Sequence, residues 1–289
     1  MEYHDKIGND GMCLPMRITK ILNNNAVIVT DGEQEKIAIG SGVGFKKRKN
    51  DIVNADQIEK LFVLKEREKL EQLLQRIPEE HFILSEEIIA YAEKRLNTKI
   101  DEHIHIALAD HLSFAIERER DGIHVKNKLL PEIKILYKEA FEIGLWAIQH
   151  VKEKLQMNLP VDEAAYIALH IHTMKIQGGD LHETVRQTAI VREMVNTIKD
   201  CLNIAIEEDD IAYARLMTHL RFALSRTMHN EHHALDEEML AMIKRKFTLS
   251  YRCAKEVAHQ LLSSHRIHLP EEELGYITLH IERLRTAAH

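Results

Sequence analysis

Apolar residues between positions 16 and 64 fall in short runs that turn residues separate. The runs read MRITKIL, AVIVT, EKIAIG and KLFVL, and they are rich in β-branched and apolar residues. Such runs predict strands, with turns at Asn23 to Asn25 and at Asp31-Gly32. We therefore expect an antiparallel sheet of about four strands, too small to be stable alone unless a second copy of the chain covers its open apolar face.

Beyond residue 64 the pattern changes to helical spacing. The segment KEREKLEQLLQRIP is charge-rich and predicts a helix or a helical linker. Ser85 can cap the helix that follows it. Further helices are expected over residues 102–119 and 132–156 and after Pro160, so the rest of the chain is predicted to be α.

Two stretches of sequence occur twice. HLSFAIER at residues 111–118 returns as HLRFALSR at 219–226, and LPVDEAAYIALHI at 159–171 returns as LPEEELGYITLHI at 269–281. The offsets are 219−111=108 and 280−170=110. A copied unit of this size is a domain rather than a solenoid repeat, so the chain holds two homologous helical modules.

These patterns predict an α+β multidomain protein. A small four-stranded antiparallel β-sheet domain precedes two homologous all-α helical-bundle domains. The predicted parts are a flexible N-terminal arm at 1–15, the sheet domain with a linker at 16–70, and the helical domains at 71–176 and 177–289.

Composition narrows the class of protein. Aromatic residues make up only 5% of the chain, and Gly and Pro are few, which favours helices over a large β architecture. Cys13, Cys201 and Cys253 show no CxxC pairing, so neither a disulfide framework nor a thiolate zinc site is expected. No apolar run approaches the roughly 20 residues of a membrane-spanning helix, and no secretory signal begins the chain. We therefore expect a soluble cytoplasmic protein without membrane insertion.

Charge is distributed unevenly along the chain. The net charge of −7 argues against a nucleic-acid partner, but residues 16–64 carry more Lys and Arg than Asp and Glu, with a basic run at 46–49. There, Asn side chains can read base edges, Phe45 can stack on an unpaired base, and the basic run can follow phosphates. The opposite interpretation is equally open, in which the Asn-rich turn serves left-handed backbone geometry, Phe45 lies in a core and the basic run is a solvated face.

Each helical module keeps two histidines, which are His111 with His170 and His219 with His280. Their apolar neighbours at helical spacing are typical of core histidines satisfied by one hydrogen bond. However, both positions keep a histidine in each copy although neighbouring polar residues changed, which indicates that the imidazoles themselves are needed. A neutral imidazole nitrogen can serve as a nucleophile, a metal ligand or a proton carrier.

A metal site is the first of these chemical alternatives. The additional histidines lack equivalents in the other copy, since His172, for example, corresponds to Glu282. No HExxH motif occurs, and the Asp110-His111 pair alone is weak evidence for a ligand set. A His-rich metal-dependent hydrolase is therefore disfavoured, and we expect neither a metal nor another cofactor.

Phosphoryl acceptance is the remaining alternative. A phosphoryl group on a histidine adds about −1.5 to −2 charges, enough to reset a helical interface where an arginine can meet it. Arg118, Arg226 and Arg283 each lie within two turns of a repeated histidine. The sequence predicts these arginines as neighbours of the phosphorylation sites.

Three signals in series resemble the BglG/SacY/LicT family of bacterial transcriptional antiterminators, from residue 16 to about residue 285. They are MRITKILNNNAVIV, then GSGVGFKKRKND with IEKLFVL, then two copies of HLxFAxxR and LPxxExxYIxLHI. The resemblance implies an N-terminal co-antiterminator RNA-binding domain, whose four-stranded sheet dimerises, and two all-helical phosphotransferase-system regulation domains. It implies a regulator rather than an enzyme. The homodimer would bind an RNA hairpin in the leader of a sugar-utilisation transcript, of β-glucoside type, and prevent the overlapping terminator from forming.

The resemblance also assigns residues. The family's RNA contacts fall on Asn23, Asn25, Gly40, Gly42 and Phe45, with Lys20 nearby, and Lys46 and Lys47 of the basic run complete the predicted RNA-binding set. The regulatory phosphohistidines fall on His111 and His170, with Asp110 beside His111, and on His219 and His280. Ser41 departs from the Gly-Arg-Gly of many members, so an arginine contact to RNA is missing.

Two partners are implied as well. The sugar-specific permease (enzyme II) would inhibit through the first regulation domain when sugar is absent, whereas the phosphocarrier HPr would activate through the second. A DNA-binding activator with the same regulation domains is the alternative. It requires a helix-turn-helix, whereas residues 16–64 are predicted to be strands.

Overall fold

The computed structural model describes residues 16–30, 35–58, 60–63, 76–99, 102–174, 180–204, 210–229, 231 and 235–287. The predicted arm at 1–15, most of the predicted linker before Ile77 and the Gly178-Gly179 linker lie outside this part of the chain. The described residues up to 93, together with 99–118, form one compact unit, and residues 94–98 with those from 119 onward form a second.

The first unit contains the predicted sheet. Its strands are β1 (Arg17–Asn23), β2 (Ala26–Thr30), β3 (Glu35–Ile39) and β4 (Lys60–Val63). All neighbouring pairs are antiparallel, in the order β1-β2-β3-β4. The prediction of a small four-stranded antiparallel sheet is confirmed.

Both faces of the sheet are covered within the described part of the first unit. Alternate residues point to opposite faces of a strand, so Val27 and Val29 pack with Val43 and Val53 of the segment that follows β3. The opposite face, with Ile28 at its centre, packs against a different cluster, Ile77, Phe82 and Ala109. The apolar face that was expected to be open is therefore closed by helices of the same chain.

Ten helices follow in the described residues. They are α1 (Glu79–Leu96), α2 (Glu102–Arg120), α3 (Leu130–Leu136), α4 (Lys138–Leu155), α5 (Val161–Met174), α6 (Leu181–Leu202), α7 (Ile211–Met228), α8 (Glu237–Lys246), α9 (Thr248–His265) and α10 (Glu271–Ala287). The prediction of mainly helical modules is confirmed. None of these helices combines the length and the apolarity that crossing a bilayer requires.

Two predicted helix boundaries are wrong. Ser85 does not cap a helix, because α1 begins six residues earlier at Glu79 and the Ser85 hydroxyl donates to the carbonyl of Phe82 inside it. The single helix predicted over 132–156 is broken at Tyr137, where φ is −127° and ψ is 43°. The apolar spacing on both sides of this break is helical, so the periodicity alone could not reveal it.

The same break recurs in the second copy. Phe247 separates α8 from α9 with φ −117° and ψ 49°, and its N–H bonds to the carbonyl of Ile243 as that of Tyr137 bonds to Ile133. The next helix ends in both copies at a left-handed residue, Gln156 with φ 55° and Arg266 with φ 58°. The backbone thus supports the duplication that the sequence predicts.

Tyr137 also joins the two copies inside the second unit. Its hydroxyl lies 2.9 Å from Oγ1 of Thr188 on α6. The ring of His172 packs against it at a centroid distance of 3.9 Å, and the guanidinium of Arg221 on α7 lies 5.8 Å from its ring. Tyr137 of the first copy therefore packs against helices α6 and α7 of the second copy within the described part of this unit.

Cys201 and Cys253 are joined by a disulfide between α6 and α9, with their Cα atoms 5.7 Å apart. The expectation that the cysteines form no disulfide framework is wrong for this pair. The two residues are 52 positions apart in the sequence, and spacing along the chain carries no information on which helices pack side by side.

Gly144 allows α4 to approach α5 closely. A Cβ atom at this position would lie 2.1 Å from the carbonyl oxygen of Ala164, far inside van der Waals contact. The equivalent position of the second copy, 144+110=254, is an alanine. The close approach is therefore specific to the first copy.

We expect Gly144→Ala to destabilise the protein by about 1–3 kcal/mol, because the added methyl group must push two helix backbones apart. Helix propensity alone predicts the opposite sign, a gain of about 1 kcal/mol. Denaturant unfolding of the full chain measures the difference, and Gln149→Ala at an exposed position of α4 controls for propensity. Stabilisation by Gly144→Ala would contradict the close packing.

Candidate phosphoacceptor site and RNA interface

Two of the repeated histidines meet in the second copy. His219 lies on α7 and His280 on α10, and the packing of these helices stacks the two imidazoles with ring centroids 3.6 Å apart and planes 16° apart. His219 is exposed and His280 is half-buried, so neither is a core histidine. The interpretation of all four as core residues is wrong for this pair.

The surroundings of this pair favour uncharged imidazoles. Burial, the neighbouring His219 and Arg283 together lower the pKa of His280 to about 4. Partial burial, Arg226, Arg283 and Arg215 lower the pKa of His219 below its ordinary value of 6.5. Near neutral pH both rings therefore carry a nitrogen lone pair, which is the form that can act as a nucleophile.

Arg226 is held at the edge of the site by a carboxylate. Its Nε donates to Oε1 of Glu273 at 2.7 Å and its Nη2 donates to Oε2 at 2.6 Å, so the pair is bidentate. Glu273 is buried, and the hydrogen bonds to it raise the pKa of Arg226. This fork ties α7 to the first turn of α10 beside the stacked histidines.

A cavity of about 310 Å³ opens beside the stacked rings. Its lining comprises Leu216, His219, Leu220, Ala223, Arg226, Tyr276, Ile277 and His280. The predicted residues His219, His280 and Arg226 therefore line one cavity. The charge of Arg283 lowers the pKa of both imidazoles. Arg215 and Glu273 were missed, although Arg215 stands one helical turn before His219 and Glu273 is the glutamate of LPxxE.

The histidines of the first copy lie in different compact units. His111 follows Asp110 on α2, and burial raises the pKa of Asp110 against the opposing effect of His111. His170 is buried on α5, and Arg118 lies half-buried near the end of α2. The additional His172 is in contact with Tyr137, while its counterpart Glu282 accepts hydrogen bonds from Ser250 and Arg285.

Within the described residues, His, Cys, Asp and Glu side chains form no group of three that could hold a metal ion.

The turn and the loop that contain most of the predicted RNA-binding residues lie together at one end of the sheet. The turn between β1 and β2 is tied to the loop after β3, since Gly40 N–H donates to the Asn25 carbonyl at 3.0 Å and Gly44 N–H to the Asn24 carbonyl at 2.7 Å. The Asn25 side-chain oxygen accepts from Gly42 N–H at 2.6 Å. Neither Asn24 nor Asn25 has a positive φ, so left-handed geometry does not explain this turn.

The loop presents an aromatic ring and several cations. Phe45 is 56% exposed, which excludes the interpretation of this residue as part of the core. The Lys46 ammonium lies 5.2 Å from its ring, and the Lys47 ammonium donates to the carbonyl of Ile52. Lys20 is exposed on β1, and Asn23 ends that strand. Asn25, in contrast, is buried, so it shapes the loop rather than offering a free side chain.

Comparison with known proteins decides the family. The model of the CAT RNA binding domain matches residues 16–71, and that of the PRD domain matches 86–174 and 192–284. A beta-glucoside operon antiterminator from Dickeya chrysanthemi is 38% identical over 276 residues, which cover 94% of this chain and 97% of that protein. The chain belongs to the CAT–PRD family of transcription antiterminators. The family assignment made from the sequence is confirmed.

Other members of the CAT–PRD family agree. The transcription antiterminator LicT from Bacillus subtilis (strain 168) is 36% identical over 274 residues, covering 93% of this chain and 99% of that protein. The crystal structure of GlcT CAT-PRDI is 36% identical and covers 55% of this chain and 97% of that chain, with a TM-score of 0.50. The described part of the matched CAT segment, up to Val63, forms a four-stranded sheet, rather than the helix-turn-helix that the DNA-binding alternative requires.

We expect protonation of His280 to weaken the fold between about pH 6.5 and about pH 4. Its pKa is about 4 in the folded chain against an ordinary 6.5, so within this window the unfolded chain binds a proton that the folded chain does not. The free energy of unfolding therefore rises with pH across the window, and the contribution present above pH 6.5 is lost toward pH 4. Thermal unfolding of the full chain at a series of pH values measures it.

His280→Gln should flatten this pH dependence. His259→Gln is the matched control, because His259 is exposed on α9 and does not line the cavity beside His219 and His280. A wild-type slope in His280→Gln would contradict a depressed pKa for His280.

Proposed function

We propose that this chain is an RNA-binding transcription antiterminator of a sugar-utilisation operon, of β-glucoside type, controlled by histidine phosphorylation. It acts in the cytoplasm as a regulator rather than as an enzyme, and as a homodimer it binds a leader hairpin that overlaps a terminator. One observation carries the proposal most directly. The same chain contains a CAT sheet with the exposed ring of Phe45 and a basic run and, in its second unit, the stacked neutral imidazoles of His219 and His280 among arginines.

The loop after β3 has the chemistry that RNA recognition needs. Unpaired bases in hairpin loops and bulges stack on aromatic side chains, and phosphates are met by Lys and Arg. Phe45 and Lys46 supply both at one point of the loop, and the backbone bonds to Asn24 and Asn25 hold that loop in place. Ser41 is exposed and offers a hydroxyl instead of a guanidinium, so we expect a hairpin preference different from that of relatives with arginine there.

The site at His219 and His280 has the chemistry of a phosphoryl acceptor. A neutral imidazole nitrogen attacks the phosphorus carried by the phosphohistidine of HPr. The P–N bond on the carrier breaks as the new P–N bond forms. The acceptor ring releases the proton from its second nitrogen, and the carrier ring takes up one proton and leaves as a neutral imidazole. The product carries about −1.5 to −2 charges, and Arg226, Arg283 and Arg215, whose charges lower the pKa of His219, would attract it.

Arg226 connects the acceptor to the packing of the second regulation domain. A phosphoryl group on either imidazole competes with Glu273 for the Arg226 guanidinium, since both are oxyanions that suit its fork. Loss of this partner would leave a buried carboxylate unpaired and so favour a shift of α7 against α10. In this way HPr would activate through the second regulation domain.

The first regulation domain would carry the opposite signal. We propose that the sugar-specific permease inhibits through His111 and His170, with Asp110 and Arg118 as neighbours, when sugar is absent. The proposed regulation domains at 71–176 and 177–289 contain the two matched PRD segments. The duplicated histidine motifs and the two matched PRD segments support this assignment.

We expect Phe45→Ala to weaken binding of the leader hairpin by about 5- to 150-fold, as removal of a stacked base does. Lys46→Ala should lower the slope of log affinity against log salt by about 0.7–0.9. Gel shifts of the full chain at several salt concentrations measure both effects. Ile123→Ala controls for loss of an exposed apolar side chain outside the CAT segment. Wild-type affinity in Phe45→Ala would reject the proposed contact.

We expect phosphoenolpyruvate, enzyme I and HPr to place acid-labile label on the second regulation domain. The double variant His219→Ala with His280→Ala should lose that label, because it removes both imidazoles of the cavity. His259→Ala with His268→Ala is the matched control, since these histidines line a different cavity formed by α9 and α10. Label that is unchanged in the first variant would reject the acceptor assignment.

A further inference from the structure

The disulfide between Cys201 and Cys253 ties α6 to α9 inside the second unit. Cys201 lies in the last turn of α6 and is partly exposed, whereas Cys253 is fully buried on α9. Their Cα atoms are 5.7 Å apart, within the range that a disulfide spans without movement of the backbone. The fold therefore brings two sulfur atoms into bonding position, one of them on a residue that solvent reaches.

This bond is one of three ties along the same pair of helices. His265 Nε2 lies 2.7 Å from Oε2 of Glu193, and the Thr197 hydroxyl donates to Oε1 of Gln260. The tied positions rise along α6 as they fall along α9, so the two helices are antiparallel and the disulfide stands at the C-terminal end of α6. The two polar ties remain when the sulfur atoms are not bonded to each other.

The first copy folds without cysteines. Residues 71–176 contain none, and the position equivalent to Cys253, 253−110=143, is an isoleucine. Ile143 is fully buried on α4, as Cys253 is on α9. An ordinary apolar residue therefore serves the packing at this position, and the disulfide is an addition in the second copy that the fold does not require.

A disulfide that the fold does not require has a specific significance in a cytoplasmic protein. Reductants keep most cytoplasmic thiols reduced, and the disulfides that do form there are usually transient and redox-sensing. We infer that Cys201 and Cys253 are a reversible thiol–disulfide modification site that controls phosphorylation of the second regulation domain. The inference rests on the proposed function, which supplies both the compartment and the phosphoacceptor.

The modification is an exchange with a low-molecular-weight disulfide such as oxidised glutathione. The Cys201 thiolate attacks one sulfur of that disulfide, forming a mixed disulfide and releasing one small thiolate. The Cys253 thiolate then attacks the Cys201 sulfur, which closes the protein disulfide and releases the second small thiolate. The two small thiolates take up the two protons that the cysteines lose, and two electrons pass to the reagent. An excess of the small thiol reverses both steps.

The bond reaches the phosphoacceptor through a shared core. Cys253 belongs to the apolar cluster that also contains Leu216 of α7 and Ile277 of α10. Both of these residues line the cavity beside the stacked histidines. Protein interiors are close-packed, so a covalent tie between α6 and α9 limits how far α7 and α10 can move against each other. Phosphorylation is proposed to shift α7 against α10, and the closed disulfide therefore opposes it.

The first test establishes the modification itself. The full chain is equilibrated with mixtures of reduced and oxidised glutathione, and its free thiols are counted by alkylation and mass spectrometry. We expect two thiols to be lost together as the mixture becomes oxidising and to return when reduced glutathione is restored. Cys201→Ser should abolish this paired loss. Cys13→Ser is the matched control, because it removes a thiol and leaves both bonding partners in place.

Thermal unfolding gives an independent measure of the tie. We expect reduction to lower the melting temperature of the wild type by about 5–15 °C, because the open bond no longer restricts an unfolded chain whose two cysteines are 52 positions apart. Cys201→Ser should melt at one temperature under both conditions, near that of the reduced wild type, since residue 201 is only partly buried.

The last test measures phosphorylation. The oxidised and reduced forms, freed of glutathione, are labelled with phosphoenolpyruvate, enzyme I and HPr. We expect the reduced form to accept label about 2- to 30-fold faster, the range for coupling between separate parts of a packed domain. Cys201→Ser should be labelled at the rate of the reduced wild type after either pretreatment. This control excludes an effect of residual oxidant on enzyme I or HPr.

The outcomes separate this inference from the proposed function. Cysteines that stay reduced at every glutathione ratio, or a bond that opens only in denaturant, overturn the reversible modification site. A reversible disulfide with equal labelling of both forms overturns its control of the domain and leaves the phosphoacceptor assignment intact. Absence of label from both forms overturns the phosphoacceptor assignment and this control together.

Discussion

Two imidazoles that stack face to face repel each other when both are protonated, and the packing of α7 against α10 is subject to that constraint. Burial and nearby arginines keep the pKa of His219 and His280 low, so the rings remain neutral where a protonated pair would repel. Neutrality preserves the nucleophilic lone pair at the same time. The neutral state that lets the rings stack between α7 and α10 is thus also the state in which a ring nitrogen keeps its lone pair.

Duplication made the histidines of this site predictable, because a residue kept in both copies stands out in a single sequence. What the sequence could not supply was their geometry. Stacking of His219 on His280 depends on how α7 and α10 pack, and the Arg226–Glu273 fork depends on the same packing. The Cys201 pairing escaped prediction for the same reason, since a helical pattern shows which face is buried but not which helix covers it.

The sheet domain shows the complementary case. Short apolar runs separated by turn residues predicted its four strands, yet they left Phe45 equally suited to a core or a surface. Exposure of that ring follows from a loop whose backbone is tied to the turn at Asn24 and Asn25. The sequence also could not show that this sheet face is covered by Phe82 and Ala109. The helical periodicity around these residues shows that they are buried but not which surface they are buried against.

Tyr137 and its counterpart Phe247 occupy the same break in the two copies and differ by one oxygen atom. That oxygen, on Tyr137, is hydrogen-bonded to Thr188, which belongs to the second copy. In an isolated first module the Tyr137 hydroxyl would lack this partner, so the hydrogen bond requires the second module. The repeats have therefore become non-equivalent parts, and a fragment cut between them would expose a hydroxyl partner and an apolar ring that the intact chain keeps together.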